Sequence, residues 1–255
     1  MAKIVKGVHP RRKDERRYGN AIDQQIIRPI LSEILVSLET APDVGRAWTD
    51  VIQKKIDEIK TDTTLGTNLA QEQIDLLRAY HKEKMIASFE SAIGVNVNPF
   101  LHDINIRSDM IKALTENINL IQNVPQKTLT DILNDFDNIL TEKGFDQEAL
   151  VKTLNTRFKM SKTRASFIAE DQTQKIIGEL SRVRQTNLGI NSYEWQTMED
   201  MVVVGTPGGK YPEGTAGHMD HFVRNGVEFL WSVPPPDGHP GQAFNCRCVA
   251  LAIVQ

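Results

Sequence analysis

The end of the chain gathers the side chains best able to hold a metal. His218, His221, His239, Cys246 and Cys248 include half of the six histidines and both cysteines. Zinc favours four ligands drawn from thiolate and imidazole. His221, His239, Cys246 and Cys248 make that count, with His218 able to substitute for one histidine. The spacing is not that of a zinc finger, because Cys-x-Cys is tighter than Cys-x2-Cys. Three readings stay open. A structural zinc would staple a short, loop-rich end and contribute folding energy. A catalytic zinc would keep one position for water. Without metal, His221 and His239 would hydrogen-bond backbone carbonyls and the cysteines would pack in a small core. For His239 to reach His221 the chain must turn back at Pro234-Pro235-Pro236-Asp237-Gly238, with Gly241 permitting the reversal before Asn245. A disulfide between cysteines one residue apart would be strained, so a reducing compartment is expected.

Other chemistries find less support. Asp220 beside His221, with Glu213 and Glu228 nearby, suggests hydrolysis. There is, however, no G-x-S-x-G elbow, no H-E-x-x-H helix and no P-loop. Gly205 to Lys210 lacks the Walker spacing and reads as a surface loop. Arg164, Arg182 and Arg184 share a helix with Glu170, Asp171 and Glu179, which largely cancel their charge. No catalytic residues are therefore expected.

Composition sets the class. The chain has 255 residues, 40% hydrophobic and 25% charged, with a formal net charge of -3, an ordinary soluble balance. The charge is uneven: seven Lys or Arg against Asp14 and Glu15 give residues 1–17 a local +5. That pattern predicts a flexible basic arm over 1–20, mobile in the isolated protein, either simply solvated or in contact with DNA or an acidic protein surface. No apolar run approaches the roughly 18–20 residues of a membrane span, and no signal-peptide core is present. The expected setting is cytoplasmic when made.

The elements that must position the histidines and cysteines divide the chain in two. Ile26, Ile27, Ile30, Leu31, Ile34, Leu35 and Leu38 recur at helical steps, with Pro29 near the start of that helix or bending it. Further helices are predicted over Ala47–Lys60, Leu69–Ile93, Ile106–Leu120, Lys127–Lys143 after Pro125, and Lys162–Asn187. Gly144 and Gly189 serve as stops, and Asp146 as the N-cap of a helix that opens at Phe145–Glu148. Beyond Ile190 the texture changes. Tyr193–Thr197, Met201–Val204, Phe229–Trp231 and Cys248–Val254 look like strands. Tyr193, Trp195, Phe229 and Trp231 alternate at strand spacing as core residues. The expected fold class is α+β: a mostly helical body over 21–188, then a small α+β or β-rich C-terminal module over 189–255.

Three stretches, in order, carry a family likeness. The first runs from Glu116–Pro125 through Gly144 to Arg164–Thr173. The second is Leu188-Gly189-Ile190, Tyr193–Thr197 and Asp200. The third is His221, Gly226, Phe229, Trp231, Pro234-Pro235, His239-Pro240-Gly241 and Asn245-Cys246-Arg247-Cys248. This succession, over about residues 115–252, resembles the phage Mu protein F-like family of head morphogenesis, or minor head, proteins. The resemblance implies a non-enzymatic virion protein associated with the portal and inner capsid. It would act in head assembly, DNA packaging or DNA ejection, with portal, capsid and scaffold proteins as partners, in the host cytoplasm and then in the virion. Family members usually carry Asp-x-Arg-Val-Arg running into the histidine. Here Asp200 is followed by Met201-Val202-Val203-Val204 and a glycine-rich insertion to Gly217, and His218 stands where arginine is common. No role tied to those arginines is carried over. The alternative is a metal-dependent nuclease or packaged effector centred on the His/Cys cluster.

Overall fold

A computed structural model describes residues 2–40, 46–62, 64–101, 104–143, 146–198, 200–212 and 220–255. The fold is α+β: long helices and one small antiparallel sheet. Helix α1 (Arg12–Ile22) runs through a π-helical segment (Asp23–Ile27) into α2 (Arg28–Thr40). The loosening, in which Arg28 N–H bonds Asp23 O, falls immediately before Pro29, whose ring lacks an N–H and crowds the preceding turn. Helices α3 (Arg46–Thr61) and α4 (Thr67–Ile93) follow at the predicted places.

Two predicted breaks are absent. Helix α5 (Ile104–Lys143) passes straight through Pro125, and α6 (Gln147–Asn187) runs unbroken where two helices were expected. At Pro125 one backbone hydrogen bond is lost, but Ile121, Val124, Leu129, Ile132 and Phe136 are all fully buried. One apolar stripe thus continues across the proline, and burying it outweighs the missing bond. Asp146 does cap α6, accepting the Ala149 N–H at 3.0 Å. The helix ends before Gly189, with Ile190 N–H returning to Gln185 O at 3.0 Å. Gly144 and Phe145 lie outside the described residues.

The N-terminus corrects the expected flexible arm. Strand β1 (Lys3–Val5) pairs with β4 (Val249–Val254), Lys3 opposite Val254 and Val5 opposite Ala252. Residues from Arg12 onward are helical. The basic residues dominate the composition of this stretch, but Val5, Val8 and Tyr18 bury within it, and these apolar anchors dock the strand and the helix that follows. The remaining strands are β2 (Ser192–Gln196) and β3 (Glu228–Leu230), giving the order β1-β4-β2-β3, antiparallel throughout. Met201–Val204 forms turns and not the predicted strand.

The chain forms two compact units that cut across the expected division at residue 188. One comprises residues 12–73 and 114–170; the other comprises 1–11, 74–113 and 171–255. Among the described residues the first has helices and no strand, with a core of aliphatic side chains and of Tyr18, Trp48, Phe136 and Phe158. The second holds the sheet, the adjoining stretches of α4 and α6, and the C-terminal loops. Its β1–β4 side packs Val5, Val8 and Ala252 with Met85 and Phe89 of α4.

Candidate metal centre

In the central strand β2, alternate side chains Tyr193 and Trp195 are both fully buried. They organise an aromatic cluster with Trp231, Cys246, Cys248 and Ala250. The Tyr193 ring centroid lies 4.2 Å from that of Trp231 and 5.6 Å from that of His239. Trp195 meets His221 edge-on at 5.2 Å. The four aromatics expected in the core are thus there, Phe229 half-buried.

Helix α6 holds the loops that carry the cysteines. Asp171 Oδ1 accepts the backbone N–H of Asn245 at 2.9 Å. Asn245 sits at φ +53°, a left-handed conformation that asparagine tolerates better than most residues. Gln185 accepts the Trp231 indole N–H at 3.1 Å and donates to Ala250 O at 3.3 Å. Gly178 lets the next loop approach: a Cβ there would stand 2.5 Å from the carbonyl oxygen of Pro240. Gly241, at φ +86°, likewise presses on the backbone of Gln174 and Gly178. These contacts deliver Cys246 and Cys248 to one place.

There the ligand atoms of His221, Cys246 and Cys248 all lie within 4.8 Å of one another, and all three residues are buried. His221 Nδ1 is 3.6 Å from each sulfur. Zinc–sulfur bonds of about 2.3 Å and zinc–nitrogen bonds of about 2.0–2.1 Å at tetrahedral angles would set a nitrogen–sulfur edge of about 3.6 Å. The donor set therefore matches a zinc-sized ion in type, and its two nitrogen–sulfur edges match in length. The far side of the imidazole is also prepared. His221 Nε2 bonds Asp237 Oδ2 at 2.7 Å, and Arg224 donates to Asp237 Oδ1 at 2.7 Å. A carboxylate on the outer nitrogen keeps the hydrogen there and turns the inner lone pair toward the sulfurs, the usual support of a ligating histidine. Gly241 N–H donates to Cys246 Sγ at 3.4 Å. The Trp195 indole N–H is turned toward Cys248 but closes no hydrogen bond of ordinary length.

The electrostatics of the cluster follow from these contacts. Cys246 is held well below the usual thiol range by its hydrogen bond with Cys248, against burial and with the help of His221. Cys248 is pushed up by the same bond and by burial. For His221, burial works downward, but Cys246 and Asp237 outweigh it and raise the imidazole overall. Burial pushes Asp237 up, and His221 and Arg224 more than reverse it.

The predicted set of four needs a correction. His239 is not part of the cluster, because its ring is engaged elsewhere. Its Nδ1 lies 2.9 Å from the Tyr193 hydroxyl, and the ring packs edge-on against Tyr193 and Trp231. Burial, then Arg182, hold it below the usual imidazole value, and its Nδ1 is committed to Tyr193. His218 and Glu213 lie outside the described residues. The carboxylates considered for hydrolysis go elsewhere: Asp220 accepts the N–H of Phe222 at 3.0 Å, and Glu228 is exposed on β3. Sequence reasoning missed Asp237, hidden inside what read as a turn, and Arg224. A carboxylate two residues before His239 was the available signal. It also missed Asp171, whose helix was recognised without a role.

Comparison with known proteins gives little to place beside this geometry. The chain is 26% identical over 196 residues to a protein of Haemophilus influenzae described only as uncharacterized, a match covering 75% of this chain. It spans about 40% of that relative's length. No family model and no solved structure matches it.

Proposed function

We propose that this protein is a bacteriophage minor head protein, non-enzymatic, that acts at the portal or inner capsid in head assembly, DNA packaging or DNA ejection. We further propose that its C-terminal module is clamped by a structural zinc ion on His221, Cys246 and Cys248. The observation that carries the reading is how residues far apart in sequence, those on which the Mu F-like resemblance rests, meet in one module. Asp171 of the Arg164–Thr173 stretch holds Asn245 and Tyr193 holds His239, while Gln185, which lies between those stretches, holds Trp231. Such a module presents a folded cap. The zinc would supply folding energy and keep the thiolates charged.

The non-enzymatic reading is supported by the engagement of the nearby polar groups: Asp237 with His221 and Arg224, and Arg247 with Asp200. DNA contact belongs to the exposed basic residues Arg12, Lys13, Arg16 and Arg17 of α1, as a helical face in place of a loose arm. It would weaken steeply with salt. Among the described residues no helix is long and apolar enough to cross a membrane.

Co-expression with the portal protein of the same phage, followed by gel filtration, tests the reading. Co-elution of the chain with the portal oligomer is expected. A portal oligomer that elutes without it contradicts the assignment.

A further inference from the structure

The three ligand residues do not sit in a closed knot. His221, Cys246 and Cys248 line a cavity of about 270 Å³, far larger than the roughly 10–15 Å³ that a cavity needs to hold one water. A structural zinc is closed by four protein ligands, whereas three protein ligands leave a position for an exogenous donor. Among the described residues only these three converge. The two nearest alternatives are committed: His239 to Tyr193, Asp237 to His221 and Arg224.

We propose that the metal centre keeps one coordination position open to this cavity and takes there an exogenous monodentate donor, a small neutral or singly charged ligand with an apolar tail. The inference rests on the metal reading above and departs from it in leaving the site open.

The chemistry of the walls selects that class. Met198, Val202 and Phe244 supply apolar lining, and Phe244 is 77% exposed at the mouth. Two thiolates neutralise a divalent ion. The charged side chains that line the cavity are already matched, Asp237 by Arg224 and Arg247 by Asp200. No net positive charge is left over for a phosphodiester, which needs cationic partners. The size also favours something small, since the cavity lies just below the range of about 300–1,000 Å³ that holds drug-sized ligands. A short alkanethiolate meets every condition: one soft donor atom for a sulfur-rich metal site, one charge at most and an apolar tail.

The test uses the full chain, purified without a polyhistidine tag and loaded with cobalt(II), whose visible bands report coordination. Ethanethiol is the probe, and His218→Ala and His221→Ala are the variants. The expected results are one cobalt per chain, bands that shift saturably on adding ethanethiol, an unchanged starting spectrum in His218→Ala, and loss of cobalt in His221→Ala. Bands that ignore ethanethiol in the unaltered chain but change in His218→Ala overturn the open site, because His218 then closes it. Bands that ignore ethanethiol in both proteins overturn it as well. Failure to bind cobalt at all refutes the metal reading itself and this inference with it.

Discussion

The two units reach order by different routes. In the helical unit of residues 12–73 and 114–170, buried aliphatic side chains repeat along each helix. Ile22, Ile27 and Ile34 lie on the α1–α2 run, Ile52 and Ile56 on α3, and Ile121, Val124 and Ile132 on α5. Many equivalent contacts share the load, so the stripe carries α5 through a proline. The C-terminal module has little of this redundancy. Its aromatic core is small, and single polar contacts position whole loops: Asp171 to Asn245, Gln185 to Trp231, Asp237 to His221. Periodic burial specifies long elements cheaply. A site built on short loops needs individual bonds, and a bound ion would be the strongest of them.

Among single substitutions, the largest effect should come from charging the redundant core. Ile132→Asp places an unpaired carboxylate at a fully buried position and should cost about 4–5 kcal/mol by chemical denaturation, whereas Lys210→Ala on its exposed loop should change stability by less than about 0.5 kcal/mol. Equal midpoints for the two would undo the assignment of that core. In the other unit, Asp237→Asn removes the charge that orients His221 and should weaken metal affinity about 10–100-fold; a competition assay showing unchanged affinity would leave Asp237 without that role.

Gly178→Ala gives a test of comparable size. Alanine favours a helix by about 1 kcal/mol over glycine, but its Cβ would meet backbone that cannot yield, an overpacking cost of about 1–3 kcal/mol. A net loss of stability is expected, with faster amide exchange at Cys246 and Cys248. A gain would mean that the Pro240 loop does not press on α6.

The smallest effect is a pH slope. His81 is buried between Ser181 Oγ at Nε2 and Arg184 at Nδ1, both at 2.9 Å. Ser181 donates onward to Ile177 O and Arg184 can only donate, so the ring is neutral with its hydrogen on Nε2. Burial, then Arg184, hold it well below the usual imidazole value. A lowered folded value gives stability that is present above about pH 6.5 and lost as the pH falls below it, by up to about 1.4 kcal/mol per pH unit. His81→Gln should flatten that slope below about pH 6.5; an identical acid profile would place the loss elsewhere.

The helices were legible wherever apolar residues recur at three- and four-residue steps, and the boundaries of α3 and α4 follow that pattern to within about two residues. Pro125 misled because local propensity says nothing of the stripe beyond it. The N-terminus misled because seven charges mask Val5 and Val8, whose partner strand lies about 245 residues away. At the site, His221, Cys246 and Cys248 were readable from residue type alone. The exclusion of His239 was not, since it depends on Tyr193, a contact between residues 46 apart. Asp237 stayed hidden because a Pro-Pro-Pro-Asp-Gly stretch gives full reason for its residues as a turn.

The claim that the C-terminal module is clamped by a metal is tested most directly by elemental analysis of the untagged protein, paired with melting curves with and without chelator. The account predicts one zinc per chain, and a midpoint that falls when the zinc is removed, since such ions contribute on the order of 10 kcal/mol to small modules. Protein that carries no metal after gentle purification, and melts identically in chelator, would contradict it and leave His221, Cys246 and Cys248 as packing and hydrogen bonding alone.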